Sequence, residues 1–184
     1  MRQFTISLAF GLAALSLAMP VQADLATGVR APNFAAQGAL AGKRFAFNLR
    51  AALNNGPVVL YFYPKAFTQG CTLEANAFAE ASADFRKAGA SVIGLSADDL
   101  PTLERFSKEG CRDKFAVVAA SPAIIRAYDV DLKRAGTSTG LTTRTSYVID
   151  GDGRIKFVHS DMDYKHHVHM TLQAVRNLQS PRRR

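Results

Sequence analysis

Six consecutive residues constrain this chain more than any others: Val58-Val59-Leu60-Tyr61-Phe62-Tyr63. The run is apolar throughout and rich in β-branched and aromatic side chains, so it is expected to be a strand. A strand with one wet face alternates apolar and polar residues. One with no alternation is expected to be covered on both faces. Turn chemistry closes it on each side, with Asn54-Asn55-Gly56-Pro57 before it and Pro64 after it.

The rest of the chain supplies what would cover that strand. Gly28 to Leu49 alternates short apolar stretches with Pro32, Gly38 and Gly42, as short strands or a hairpin do. Thr72 to Ala88 has helical composition, with Phe78, Ala81 and Phe85 at helical spacing and Gly89 as a stop. Ser91 to Ser96 reads as a second buried strand. Asp98 or Asp99 can cap a helix beginning near Leu100-Pro101 and burying Leu103 and Phe106, with Gly110 ending it. Phe115 to Ala119 is expected as a third strand, and Ser121-Pro122 as the start of a short helix carrying Ile124, Ile125 and Tyr128. Lys133 to Thr143 is polar, holds two glycines and reads as a loop. Thr145 to Ile149 and Ile155 to Val158 form a hairpin across Asp150-Gly151-Asp152-Gly153, and Lys165 to Leu178 is a last helix. Strands alternating with helices, then a hairpin and a helix, indicate a three-layer α/β domain. The order is similar to a thioredoxin-like fold with a central mixed sheet and an N-terminal hairpin extension.

Residues 1–23 are set apart from that domain. Arg2 is followed by a mostly apolar, uncharged stretch from Phe4 to Met19, and Val21-Gln22-Ala23 has small residues where a signal peptidase needs them. A cleavable signal peptide is expected, leaving residues 24–184 as one domain. The competing reading, a membrane anchor, meets a run shorter than the roughly 20 apolar residues a spanning helix needs. No later stretch is long enough either, so no membrane association is expected after cleavage. Export would place the domain in the periplasm of a Gram-negative cell, or outside another kind of cell. The net charge of +8 is diffuse apart from Arg182, Arg183 and Arg184. Without clustered charge and interleaved aromatics, that is a solvated basic surface rather than a nucleic-acid site.

The chain has two cysteines, Cys71 and Cys111. In an oxidising compartment they could be a structural staple, although a domain of this size has enough core not to need one. Cys71 falls where the helix after Pro64 should begin. A free thiol ionises at about pH 8.5, and only the thiolate attacks. A helix N-terminus offers unpaired N–H groups and the positive end of the dipole, both of which favour the thiolate. Gly70 gives the turn freedom and clears space near the sulfur, and Thr68 lies within reach of the same pocket. A small buried core cysteine fits poorly with that polar, glycine-containing loop.

The segment "FYPKAFTQGCTLEA" resembles the active-site segment of peroxiredoxins, closest to the bacterioferritin comigratory protein or peroxiredoxin Q group. The group's Pro-x-x-x-Thr-x-x-Cys pattern falls on Pro64, Thr68 and Cys71. "RTSYVIDGDGRIKFV" resembles its Arg-Thr-x-Phe-Val-Ile-Asp segment and places the essential arginine at Arg144. "VIGLSADD" and "GVRAPNF" match in style and order, so the likeness covers nearly all of residues 28–178. It implies a thiol-dependent peroxidase that needs no metal or organic cofactor. Its partners would be a hydroperoxide and a thiol reductant, thioredoxin-like or a small thiol, and the group is often monomeric. Cys71 would attack a peroxide oxygen and become a sulfenic acid. Arg144 would stabilise the charges, Thr68 and the Cys71 amide would hold the peroxide in line, and Pro64 would shield the site. For Glu74 two readings stand side by side: an orienter of Arg144, as the resemblance implies, or a partner of the helix dipole.

Many members of the group carry a second cysteine five residues after the first; here Asn76 stands there. The resemblance to members with a resolving cysteine on the following helix makes Cys111 the candidate for an intramolecular Cys71–Cys111 disulfide. An incidental Cys111, and so a one-cysteine enzyme, remains open beside it. Two other functions compete: a thiol–disulfide exchange protein, which would need an absent Cys-x-x-Cys pair, and a thioredoxin-like binding module with a relict site. Two motifs are set aside. Asp150-Gly151-Asp152-Gly153 lacks the later acidic ligands of a calcium loop. His166, His167 and His169 lack further metal ligands at suitable spacing and read as solvated helix surface.

Overall fold

The computed structural model describes residues 25–179. In chain order the elements are β1 (Ala35–Leu40), β2 (Lys43–Asn48), α1 (Leu49–Leu53), β3 (Val58–Phe62), α2 (Gln69–Lys87), β4 (Ser91–Ser96), α3 (Leu100–Glu109), β5 (Ala116–Ala119) and α4 (Pro122–Ala127). Then follow β6 (Asp131–Arg134), β7 (Thr137–Thr142), β8 (Thr145–Ile149), β9 (Ile155–Ser160), a single 3-10 turn at Tyr164–His166, and α5 (His167–Gln179). The expected signal peptide lies outside the described residues.

Among the described residues, seven strands form one sheet in the order β2-β1-β5-β4-β3-β8-β9. β3 is parallel to β4 and antiparallel to β8, so the sheet is mixed. All five residues of β3 are buried, and their side chains divide between two clusters as the period of two requires. Val59 and Tyr61 join Phe78 and Phe85 of α2, Leu103 and Phe106 of α3, and Leu172 and Val175 of α5. Val58, Leu60 and Phe62 join Leu49 and Leu53 of α1 and Ile124 and Ile125 of α4. The sheet is therefore the middle of three layers, and the unbroken apolar run is explained. Gly94 stands opposite Tyr61 in the β3–β4 register, and a Cβ there would come within 2.9 Å of the Tyr61 ring. The missing side chain makes room for an aromatic that fills the face of the sheet covered by α2, α3 and α5. The β1–β2 hairpin is the expected N-terminal extension and pairs through β1 with β5.

One local expectation changes, and two details are added to the rest. Lys133 to Thr143 is not a loop but most of an exposed hairpin, β6–β7. Its backbone pairs, with one irregularity between Asp131 and Lys133, while most of its side chains stay in water, so no apolar alternation marks it. A short helix, α1, stands between β2 and the turn at Asn54, its N-terminus capped by Asn48, which accepts from the Ala51 N–H. Of the two capping candidates it is Asp99 that caps α3, accepting from Thr102 N–H at 2.9 Å. Asp98 holds the loop after β3 instead, accepting from Ala66 N–H and the Ser96 hydroxyl, both at 2.8 Å.

Candidate active site

The chain leaves β3 at Tyr63, turns at Pro64 and enters α2 at Gln69, with Thr68 as its N-cap. Cys71 is thus the third residue of the helix, and its amide is one of the first-turn N–H groups that no helical carbonyl can reach. Phe67, 40% exposed, takes a left-handed φ of 63° to make the turn. That backbone is uncommon for a bulky side chain and is held here by the Asp98 anchor. Pro64 is half-buried at the start of the same loop.

Arg144, in the bend between β7 and β8, reaches the same place from the neighbouring strand. It is 5% exposed, and each guanidinium nitrogen has its own partner. Nε donates to the Met162 carbonyl at 3.0 Å, Nη1 to Glu74 Oε2, and Nη2 to Cys71 Sγ at 3.5 Å. Gly70 is helical, so its conformational freedom is not used. What is used is the open space: a Cβ there would stand 3.4 Å from Arg144 Nη2. The guanidinium is a permanent cation and stands where an anionic sulfur or a departing oxygen would carry charge. Burial works against that cation, but Glu74 and Cys71 outweigh it and hold the group above its usual range.

Thr68 departs in detail from its expected geometry. Its hydroxyl makes no capping bond and donates to the Lys65 carbonyl at 3.0 Å. With its proton committed, the oxygen presents only lone pairs to anything that approaches, the right polarity for accepting from a peroxide O–H. Cys71 is 1% exposed and Cys111 fully buried; both are free and belong to the same apolar cluster. Burial, with the Asp113 charge, pushes the Cys111 thiol up, so in this conformation it is not a nucleophile. Cys111 follows Gly110, the C-cap of α3, and Arg112 and Asp113 after it both have left-handed φ, 50° and 58°.

Glu74 is fully buried and pairs with Arg144, so of its two readings the structure shows the contact with the arginine. Burial pushes its carboxyl up to about 8, against the opposing pull of Arg144. His167 corrects the surface reading of the histidine cluster. His166 and His169 are exposed, but His167 is completely buried against β8 and β9. Its Nδ1 lies 2.8 Å from the Ser146 hydroxyl and 3.8 Å from Glu74 Oε1, and its Nε2 lies 2.9 Å from the Asp161 carbonyl. No local pattern singles it out, because its burial follows from how α5 packs on β8 and β9. An apolar depression of about 390 Å³ lined by Phe45, Phe47, Phe85 and Phe115 shares none of these groups and is not the reaction site.

Residues 27–158 match the AhpC/TSA family. The chain belongs to that family. Peroxiredoxin Bcp of Escherichia coli is 30% identical over 112 residues, which is 60% of this chain and 72% of that one. A chloroplastic peroxiredoxin Q of wheat is 36% identical over 124 residues, 66% of this chain. The match spans only 55% of the wheat protein's length. Among solved structures, peroxidoxin BcpB of Mycobacterium tuberculosis superposes with a TM-score of 0.74 at 29% identity, covering 84% of this chain and 98% of that one. The thioredoxin-like fold of the family is the fold described above.

Proposed function

We propose that this chain is a thiol-dependent peroxidase acting on hydrogen peroxide and organic hydroperoxides. The observation that carries the reading is the Arg144 Nη2 contact with Cys71 Sγ at the first turn of α2. The sulfur forms a bond to one peroxide oxygen as the O–O bond breaks. The other oxygen takes a proton and leaves as water or an alcohol, and Cys71 is left as a sulfenic acid. Arg144 lies beside the departing charge, the Cys71 amide and the Thr68 oxygen flank the approach, and the near-complete cover of the sulfur excludes water.

A thiol donor, thioredoxin-like or small, returns the sulfur to its reduced state. Cys111 is our candidate for the intermediate step, an internal disulfide with Cys71. Bridging needs Cα atoms within about 7 Å, and a protonated, buried thiol must be freed before it reacts. The left-handed pair Arg112–Asp113 makes the end of α3 a natural place to open. The same burial favours one alternative, a one-cysteine cycle in which the external thiol reduces Cys71 directly. Export of the domain, with cleavage after Ala23, belongs to the same proposal and rests on the leader's composition. The protein is proposed to act as a monomer.

The test is peroxide consumption by residues 24–184 with a dithiol donor, alongside Cys71→Ser. Activity is expected to vanish in the variant; equal activity would end the peroxidase reading. Mass after one equivalent of peroxide decides the second step. A loss of two hydrogens shows the internal bridge, and a gain of one oxygen shows the one-cysteine cycle.

A further inference from the structure

One buried oxygen is left over by the site as described. Glu74 Oε2 accepts from Arg144, but Glu74 Oε1 is buried with no hydrogen-bond partner among the described residues. His167 Nδ1 lies 3.8 Å from it. A carboxylate oxygen needs donors, and leaving it bare inside a protein is costly. His167 would be the obvious donor, yet its bonds forbid it. Nε2 faces the Asp161 carbonyl, which can only accept, so the ring hydrogen is on Nε2. Nδ1 of the neutral ring is then an acceptor, and the Ser146 hydroxyl donates to it. Two acceptors, Oε1 and Nδ1, face each other.

A proton on the carboxyl at Oε1 relieves that opposition, because an unpartnered neutral oxygen costs far less to bury than an unpartnered charge. We propose that His167, locked by Ser146 and the Asp161 carbonyl, is a positioning residue. By withholding a donor it keeps Glu74 protonated on Oε1, so that the Arg144 charge is left for Cys71 instead of being neutralised by its carboxyl neighbour. A neutral Glu74 still accepts through Oε2 and still aims the guanidinium, but it does not cancel the cation. In a site this dry, that difference acts at full strength on the sulfur 3.5 Å away.

Groups from every packed element bear on this proton. α2 contributes Cys71, β3 the Tyr61 hydroxyl, β8 Ser146 with Arg144 just before it, and β9 the His159 ring, 4.5 Å from that of His167, with Asp161 just after. Burial pushes Tyr61 well up, so it adds no charge. Burial likewise pushes His167 down to about 4 while Glu74 rises to about 8, which agrees with a neutral ring beside a protonated carboxyl at neutral pH.

Infrared spectroscopy of the reduced protein tests this directly, since a buried carboxylic acid has a carbonyl band that a carboxylate lacks. At pH 7 the unaltered protein should show such a band, and Glu74→Gln should remove it. His167→Gln supplies an amide donor to Oε1 while still accepting from Ser146, so the band should be lost at pH 7. Ser146→Ala frees Nδ1 to accept from the carboxyl, so the band should persist to higher pH. Peroxide reactivity should fall roughly tenfold in His167→Gln, the equivalent of one pKa unit of charge stabilisation, and be retained in Ser146→Ala. A merely structural histidine would not move the band in opposite directions in two variants. Absence of a Glu74-dependent band in the unaltered protein at pH 7, or its persistence in His167→Gln, overturns the proposal. The rate measurement rests on the peroxidase reading and the band does not. A protein inactive toward peroxide that shows the expected bands would therefore remove that reading and leave the proton where we place it.

Discussion

Arg144 carries three obligations with three nitrogens, and no other cationic side chain could meet them. Lysine has one nitrogen on a flexible stem and cannot span Met162, Glu74 and Cys71 at once. Arg144→Lys is therefore expected to lower peroxide turnover by about 10²–10³-fold, the usual cost of losing a preorganised charge-stabilising donor. It also leaves the buried Glu74 less well paired, so the melting temperature should drop as well. A variant with near-normal turnover under a steady-state peroxide assay would show that the guanidinium fork is dispensable. The pairing of Arg144 with Glu74 explains why a carboxyl group stands in the second turn of α2 without being exposed to solvent. The helix dipole, which acts within the first turn, does not account for an acidic residue there and would not bury it.

The loop from Pro64 to Thr68 depends on Asp98, a residue of the neighbouring β4–α3 connection. Removing it in Asp98→Ala strips the acceptor from both the Ala66 N–H and the Ser96 hydroxyl. Stability should fall by about 1–3 kcal/mol, and peroxide kcat/KM should fall with it because Phe67 and Thr68 lose their seat. Denaturant melts and steady-state rates on one preparation measure both; unchanged values for either would show the loop to be set by other contacts. The strands and long helices were legible because burial on two faces or one stripe leaves a period in the residues. Cys71 was legible as a thiol at a helix start, and Arg144 only through the family motif, since no local pattern ties a bend before β8 to a helix 70 residues earlier. The β6–β7 hairpin was not legible, because paired backbone with wet side chains leaves no apolar trace. His167 was hidden between exposed His166 and His169. Its burial is decided by how α5 lies on β8 and β9, a tertiary fact. Asp98 and Asp99 are adjacent and chemically alike; only the cap geometry at Thr102 tells them apart.

For the folded domain as a unit, the two buried titrating groups set opposite slopes of stability against pH. Glu74 is raised on folding from 4.5 to about 8, so its favourable contribution is complete below about pH 4.5 and is lost as pH rises toward 8. His167 is lowered from 6.5 to about 4, so its contribution is complete above about 6.5 and is lost as pH falls toward 4. Between 4.5 and 6.5 the folded and unfolded pairs each hold one proton, and the slopes cancel. The melting temperature should be nearly level across that window and decline from 6.5 to 8 by the equivalent of about 2 kcal/mol. Glu74→Gln should abolish the decline and replace the level stretch with a rise. Calorimetry across pH 4–8 checks this, and an unbroken rise in the unaltered protein would contradict the assigned protonation. Arg144 holds the Met162 carbonyl by Nε, and its own carbonyl accepts from the Asp161 N–H at 3.1 Å, so half of its anchorage lies outside α2. If the first helical turn peels away after oxidation, the cation stays behind as a fixed mould. Reduction then lets the departed turn close onto a surface that never changed shape, and each cycle begins from the same geometry.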